Sequence, residues 1–398
     1  MPYRLALPDT TASLDPIARA NELFVADTRS EKINLGIGVY TDETGTVPLM
    51  RAVREAEQLI FDAAMPHRYL PIAGLRDFNR QMQALALGDD ARRAVTVQTL
   101  GGTGALALAA AFLKQVHSGA EVLISDPSWE NHRAIFEAAG FLVGTYPYYD
   151  AVTHAVAFDA MIDRLGRAAS GSIVVLHACC HNPTGLDLDD DQWDRVIDVI
   201  AAGGLMPVCD MAYQGFGRGL VEDREPIRRL VARSLDVVVA TSLSKSLALY
   251  GDRVGGLTVV TSSNDETSRA ATRLNRIVRS SYSNPPTHGA AIASAVFAST
   301  ELRRVWEDEL TGMRTRIDRM RIRLCAELAR LAPSKDLSFI ARQRGMFSYT
   351  GLSEAEVARL HACDAIHLLA TGRLCVAALN DGNVQRAAEA IGRVLCAR

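Results

Sequence analysis

Residues 172–185 read Ser172-Ile173-Val174-Val175-Leu176-His177, then Ala178-Cys179-Cys180-His181-Asn182-Pro183-Thr184-Gly185. A continuous apolar run with no polar alternation describes a strand buried on both faces, and Asn-Pro and Gly stop it in a turn. The arrangement recurs on both sides. Ala94-Val95-Thr96-Val97-Gln98-Thr99 leads into GGTG at 101–104 and then into the helical run ALALAAAFLKQV. Glu121-Val122-Leu123-Ile124-Ser125 leads into DPSW, Leu205-Met206-Pro207-Val208-Cys209 ends at Asp210, Leu235-Asp236-Val237-Val238-Val239-Ala240 leads into TSLSK, and Gly256-Leu257-Thr258-Val259-Val260 follows. With amphipathic helices between them, these runs predict an α/β fold around a mostly parallel sheet. Ligands of such sheets sit outside the carboxyl ends of the strands. GGTG, Trp129, Asn182, Asp210 and Lys245 are therefore expected to meet in one pocket.

Beyond the sheet region, Leu302, Trp306, Leu310, Met313, Ile317, Met320, Leu324, Leu328 and Leu331 recur at gaps that describe one long amphipathic helix. Its arginines alternate with acids, which fits a solvated face better than a nucleic-acid stripe. After Pro333 the pattern is that of a smaller α+β unit. Strands are expected at Leu337-Ser338-Phe339-Ile340, Met346-Phe347-Ser348-Tyr349 and Arg373-Leu374-Cys375-Val376, and a helix from Ser353. The expected division is 1–46 as an N-terminal segment packing with the small domain, 47–312 as the large domain and 313–398 as the small C-terminal domain.

The chain has 398 residues and a formal net charge of −3, so no basic surplus points to nucleic acid or an anionic membrane. Seven cysteines without a CxxC, no signal-like N-terminus and no apolar run of about 18 residues fit a reduced, cytoplasmic protein. Only four of its 43 basic residues are lysines: Lys32, Lys114, Lys245 and Lys335. Chemistry that needs an amine must use one of these.

Several motifs admit more than one reading. Gly102, Gly104 and Ala107 fit the G-x-G-x-x-A of dinucleotide sites, but the acid expected to close the next strand is Glu121, which opens it. An NAD-dependent dehydrogenase remains the alternative on this ground. His177, Cys179, Cys180 and His181 resemble a metal cluster, yet no second ligand pair at zinc spacing follows. Ser242-Leu243-Ser244-Lys245 matches S-x-x-K, without the companion motifs of serine acylation. Lys245 itself follows a buried strand and lies among Ser242, Ser244 and Ser246. A partly desolvated lysine there can have a lowered pKa and form Schiff bases. With the Gly-rich turn for a phosphate and Asp210 to keep a ring nitrogen protonated, the set is what pyridoxal phosphate (PLP) requires.

The phrases NLGIGVYTDETG, YLPIAGL, GGTGAL, DPSWENH, CCHNPTG, AYQGFGRG, SLSKSLALYGDRVGGL, YSNPPTHGA, RGMFSYTGL and TGRLCVAALN occur in this order. By them the chain, from about Asp15 onward, resembles the class I, fold type I aminotransferases of the aspartate and aromatic amino-acid group. The resemblance implies a PLP-binding large domain with a smaller α+β domain. It implies that Lys245 forms the Schiff base with the cofactor aldehyde, Asp210 pairs with the pyridinium nitrogen, Tyr213 and Asn182 bond the ring's phenolic oxygen, and Trp129 stacks on the ring. Gly102, Thr103, Ser242 and Arg253, with Ser244 nearby, are implied to hold the phosphate, and Tyr69 to reach it from a partner subunit. Arg373 is implied to bind the substrate α-carboxylate, and Arg279, from the partner, a side-chain carboxylate. Gly38, Asn284 and Phe347 are implied to line the substrate pocket, and His132 and His177 to support Asp210. Asp126-Pro127 and Asn182-Pro183 look like the family's cis bonds. The implied activity is ping-pong transamination between aspartate, glutamate, tyrosine or phenylalanine and a 2-oxo acid such as 2-oxoglutarate, by a homodimer with shared sites. A non-enzymatic PLP-binding regulator is a third reading. The segment HACDAIHLL at 361–369 departs from the family's acidic-aromatic stretch, with His367 where an aromatic is frequent.

Overall fold

The computed structural model describes residues 15–64, 66–88 and 93–396. Residues 1–14 of the expected N-terminal segment lie outside them. Seven strands form the central sheet in the order Ala94–Leu100, Val254–Val260, Val237–Ser242, Met206–Met211, Ile173–His177, Glu121–Asp126 and Leu142–Pro147. Val254–Val260 runs antiparallel to both neighbours and the other pairings are parallel. Every residue of Ile173–His177, Val237–Ser242 and Val254–Val260 is buried, as uninterrupted apolar runs require. The edge strand Leu142–Pro147 carries no such run. Gly144 and Pro147 interrupt it, and its alternating exposure is that of an edge position.

Two apolar layers flank the sheet. One gathers Leu106, Leu113, Phe136 and Val278. The other gathers Phe78, Trp193, Phe216, Trp306 and Leu310. Helix Thr300–Leu331 spans 32 residues, with Leu302, Trp306, Leu310, Met313, Ile317, Met320, Leu324 and Leu328 all buried. Trp306 is fully buried, and its indole N–H donates to the carbonyl of Ser246 at 2.6 Å. The helix thereby braces the turn that carries Lys245. Truncation of a buried Trp costs about 3–5 kcal/mol.

In the C-terminal part, Phe347–Tyr349 pairs antiparallel with Arg373–Cys375, and Ile33–Asn34 pairs in parallel with Ile366–His367. The early chain is thus stitched to the late chain. Helix Glu354–Asp364 starts at Ser353 with a capping box to Glu356. The expected strand at 337–340 is instead a turn running into the short helix Phe339–Arg342. The backbone at Ser338 is helical, and Asp336 accepts from its N–H at 2.9 Å. Phe339 and Ile340 are both buried, and so short an apolar run does not distinguish a strand from a helical turn. No helix among the described residues is long and apolar enough to cross a membrane.

Candidate active site

A cleft of about 220 Å³ opens at the carboxyl ends of the strands. Its lining includes Gly102, Thr103, Trp129, Asn182, Asp210 and Lys245, so the five expected strand-end turns do meet. Gly38, His177, Tyr213, Ser242, Ser244, Arg253, Phe347 and Arg373 line it as well.

One wall is an anion cradle. Helix Gly101–Val116 begins directly after its strand, with no side chain capping its first turn, so its N-terminal N–H groups are available. Gly101 has φ +68°, and a Cβ there would lie 2.8 Å from Arg253 Nη2, so only glycine lets the guanidinium come this close. Arg253 Nη1 donates to Ser244 Oγ at 3.2 Å, and Ser242 Oγ donates to Ser244 Oγ at 3.1 Å. Helix N-terminus, hydroxyls and guanidinium together suit a phosphate.

Lys245 and Asp210 occupy the floor. Burial pulls the Lys245 amine down to about 8, Arg253 and Arg373 push the same way, and only Asp210 opposes them. The Nζ lies 4.9 Å from the centroid of the Tyr213 ring. Burial by itself would raise Asp210. The hydrogen bond from His132 and the charge of Lys245 oppose that rise, and the carboxyl is held below its usual range. His132 is fully buried, with Nε2 3.0 Å from Asp210 Oδ2 and Nδ1 2.9 Å from Ser128 Oγ. His177 packs its ring 5.0 Å from that of His132, and burial pulls its pKa down to about 3, so it is neutral. Burial likewise pushes the Tyr213 phenol up.

Arg373 closes the far end. It is 1% exposed and donates to Asn182 Oδ1 at 3.0 Å and to the Gly36 carbonyl at 2.8 Å. Its guanidinium lies 4.2 Å over the Phe347 ring, and no described carboxylate pairs with it. Its Nε is buried without a partner. A buried cation in this state favours an anionic ligand. Gly38 is required beside it, because a Cβ there would sit 2.8 Å from Phe347 Cζ.

Three expected residues do not line this chain's cleft. Tyr69 is 93% exposed, and Arg279 is exposed with its Nη1 bonded to Ser283 Oγ. Asn284, expected in the pocket, donates from Nδ2 to the Leu70 carbonyl at 3.0 Å. The turn after helix Asn264–Ser281 carries it to the Tyr69–Leu70 segment on the outer surface. The sequence reading missed Ile17, Ala212 and Tyr250 in the lining. Tyr250 lies five residues after Lys245, and its hydroxyl accepts from Tyr40 N–H at 2.9 Å. Ile17 lies in a short helix whose sequence gives no sign of a site.

The remaining motifs serve the fold. Glu121 begins its strand and pairs with Arg164 at 3.2 Å, on the opposite end from the cradle. His181 bonds Ser125 Oγ at 2.9 Å and Thr184 Oγ1 at 2.8 Å and stacks on Tyr148. Asp126-Pro127 and Asn182-Pro183 are both cis.

Residues 30–391 match the family model "Aminotransferase class I and II". The chain is 50% identical to aspartate aminotransferase of Pseudomonas aeruginosa over 389 residues, covering 96% of this chain and 98% of that protein. It is 45% identical to the aromatic-amino-acid aminotransferase of Escherichia coli, again over 96% and 98% of the two chains. The crystal structure of the Burkholderia pseudomallei aromatic-amino-acid aminotransferase, covalently bound to pyridoxal phosphate, superposes with a TM-score of 0.96 at 51% identity, covering 99% of this chain and 100% of that one. Fold, cleft and full-length similarity agree, and the chain belongs to the class I and II aminotransferases.

Proposed function

We propose that the protein is a PLP-dependent aminotransferase that moves the amino group between aspartate, glutamate, tyrosine or phenylalanine and a 2-oxo acid such as 2-oxoglutarate. The observation that carries this reading is that the Lys245 amine, softened to a pKa of about 8, and the carboxylate-free Arg373 guanidinium face one cleft.

The residues fit the cofactor. The cradle of Gly102, Thr103, Ser242, Ser244 and Arg253 supplies donors for its phosphate, Asp210 an ionised partner for its ring nitrogen, and Trp129 an aromatic face. Tyr213 and Asn182 are the polar groups for its phenolic oxygen. When bound, PLP supplies an electron-withdrawing ring that takes up the electron pair left at the substrate Cα. Arg373 orients the substrate by its α-carboxylate, which places the Cα–H near Lys245. Lys245 Nζ, neutral in a useful fraction near physiological pH, accepts that proton. Asp210 keeps its charge throughout because His132 donates to it.

The second substrate carboxylate needs a cation, and in this reading Arg279 provides it from a partner subunit, where Tyr69 also reaches the phosphate cradle. Exposure of Tyr69, and a 460 Å³ surface cleft that Tyr69 and Leu59 line with His288, support a homodimer. Residues 47–312 then hold the cofactor, while 313–398 with 1–46 form the unit that covers it, a division supported by the pairing of Ile33–Asn34 with Ile366–His367.

The test is direct. Purified protein supplied with PLP is expected to absorb visible light, borohydride to attach the cofactor to Lys245, and a donor panel with 2-oxoglutarate to show transfer from aspartate and from phenylalanine. Label on Lys32, Lys114 or Lys335 instead refutes the assignment.

A further inference from the structure

The segment 361–369, where the chain departs from the family pattern, takes no part in the chemistry described so far. Its His367 Nε2 lies 2.9 Å from Asp27 Oδ2, and the two side chains are 3% and 5% exposed. Asp27 ends the N-terminal helix Pro16–Ala26. Arg29 completes the contact. Its Nε lies 2.9 Å from Asp27 Oδ1 and its Nη2 2.6 Å from Oδ2. The same guanidinium donates to the carbonyls of Ala362 at 2.9 Å and His361 at 2.7 Å. Lys32 Nζ donates to the carbonyls of Phe24 and Asp27, and Phe24 meets the His367 ring edge-on at 5.3 Å.

This clasp matters because the helix has little else to hold it. None of its 11 residues is buried, and Leu23 and Val25 are exposed. A helix so short is marginal in isolation. Its C-terminal end is tied to the small unit, while its first turn brings Ile17 to the active cleft beside Lys245, Asp210 and Arg373. Asp27, His361 and His367 also cluster as metal-ligand types, but the Arg29 guanidinium already occupies the carboxylate. The grouping is an ion-pair clasp.

We infer that His367 is a positioning residue that, through Asp27, holds the N-terminal helix so that Ile17 forms an apolar wall at the cleft mouth and favours substrates with apolar side chains. This rests on the aminotransferase reading above. The other large apolar groups of the lining are Trp129, Tyr213, Tyr250 and Phe347, and Phe347 already packs against the Arg373 guanidinium, so Ile17 is one of few residues left to bury an aromatic side chain. A dicarboxylate is gripped by charge and depends on Ile17 much less.

Hydrogen exchange and kinetics test it together. His367→Phe keeps a ring and removes the donor, and His367→Gln keeps an N–H donor. Amides of residues 17–26 are expected to exchange at least about fivefold faster in His367→Phe, as loss of a hydrogen bond to a charged group predicts, and to recover most of their protection in His367→Gln. In the holoenzyme, His367→Phe is expected to raise KM for phenylalanine roughly threefold or more, with kcat and the aspartate KM little changed. Ile17→Ala is expected to do the same, and the double variant to be no worse than either single one, since both act through one contact. Unchanged exchange in His367→Phe overturns the clasp whatever the activity. Equal KM changes for both donors, or additive single variants, overturn the specificity role. A native protein that transfers no amino group overturns that role together with the aminotransferase reading, and the exchange data still judge the clasp.

Discussion

His132 Nε2 lies 3.0 Å from Asp210 Oδ2, with both side chains withdrawn from water. An ionised carboxylate only accepts, so Nε2 carries the proton, and Nδ1 accepts from Ser128 Oγ, 2.9 Å away. A serine, a histidine and an aspartate thus form one relay with fixed proton positions. It helps keep Asp210 charged where burial acts to raise its pKa.

His132→Phe removes that support. Asp210 is then left with burial less opposed, and its pKa rises. The acid limb of kcat/KM is expected to move to higher pH, and activity at neutral pH to fall roughly tenfold, equivalent to ~1.4 kcal/mol. Stability follows the same sign. In the native chain the folded-state pKa of Asp210 lies below its unfolded value, so its contribution is present above that unfolded value and lost as pH falls through the folded one. In the variant the acid-side loss begins at higher pH. Parallel pH–rate and pH–melting curves check both, and unmoved curves refute the relay.

Lys245 gives a second pH signature in the cofactor-free protein. Its pKa of about 8 comes mainly from burial. An ordinary lysine titrates near 10.4. Labelling of Lys245 by an amine-directed aldehyde is therefore expected to rise with a midpoint near pH 8. The unfolded chain binds this proton more tightly, so the cost of burying the charged amine applies below about pH 8 and is relieved between there and roughly 10.4. Peptide-level labelling against pH measures the midpoint, and a midpoint above 10 contradicts the burial argument.

Arg373 is held on both sides, by Asn182 and by the Gly36 carbonyl, over the Phe347 ring. Arg373→Lys keeps a charge and loses the planar fork. Because every donor carries an α-carboxylate, kcat/KM is expected to fall about 10²-fold for aspartate and phenylalanine alike, a loss of ~2.7 kcal/mol. Loss confined to one donor class rules out α-carboxylate recognition.

How legible all this was in the sequence depended on whether local pattern and tertiary position agreed. The runs at 172–177 and 237–242 announced buried strands because nothing polar interrupted them, and the turns after them gave the cleft residues directly. Lys245 stood out because only four lysines exist. The strand Leu142–Pro147 was hidden by its Gly and Pro, and 337–340 was misread because four residues cannot show a period. Ile17 was invisible for a different reason. Its helix buries none of its residues, and the contacts at its end, Asp27 with His367 among them, join positions as much as 340 apart. The surface position of Asn284 likewise follows from where one turn sends the chain.

Arg279 and Tyr69 lie outside this chain's cleft, and their proposed roles stand or fall with subunit sharing. Arg279→Ala is expected to lower kcat/KM for aspartate by about 10²-fold while phenylalanine changes less than threefold, since only the dicarboxylate loses a charged partner. Mixing then decides where the arginine acts. Neither Lys245→Ala homodimers nor Arg279→Ala homodimers turn over aspartate well. If the sites are shared, a hybrid of the two has one cleft with both defects and one cleft with both native residues, so mixing restores aspartate turnover. If each chain supplies its own Arg279, the hybrid has one cleft without the lysine and one without the arginine, and mixing restores nothing. Aspartate turnover after mixing, dissociating and reassociating the two purified variants reads the answer, and absence of complementation in verified hybrids removes Arg279 and Tyr69 from the partner's cleft.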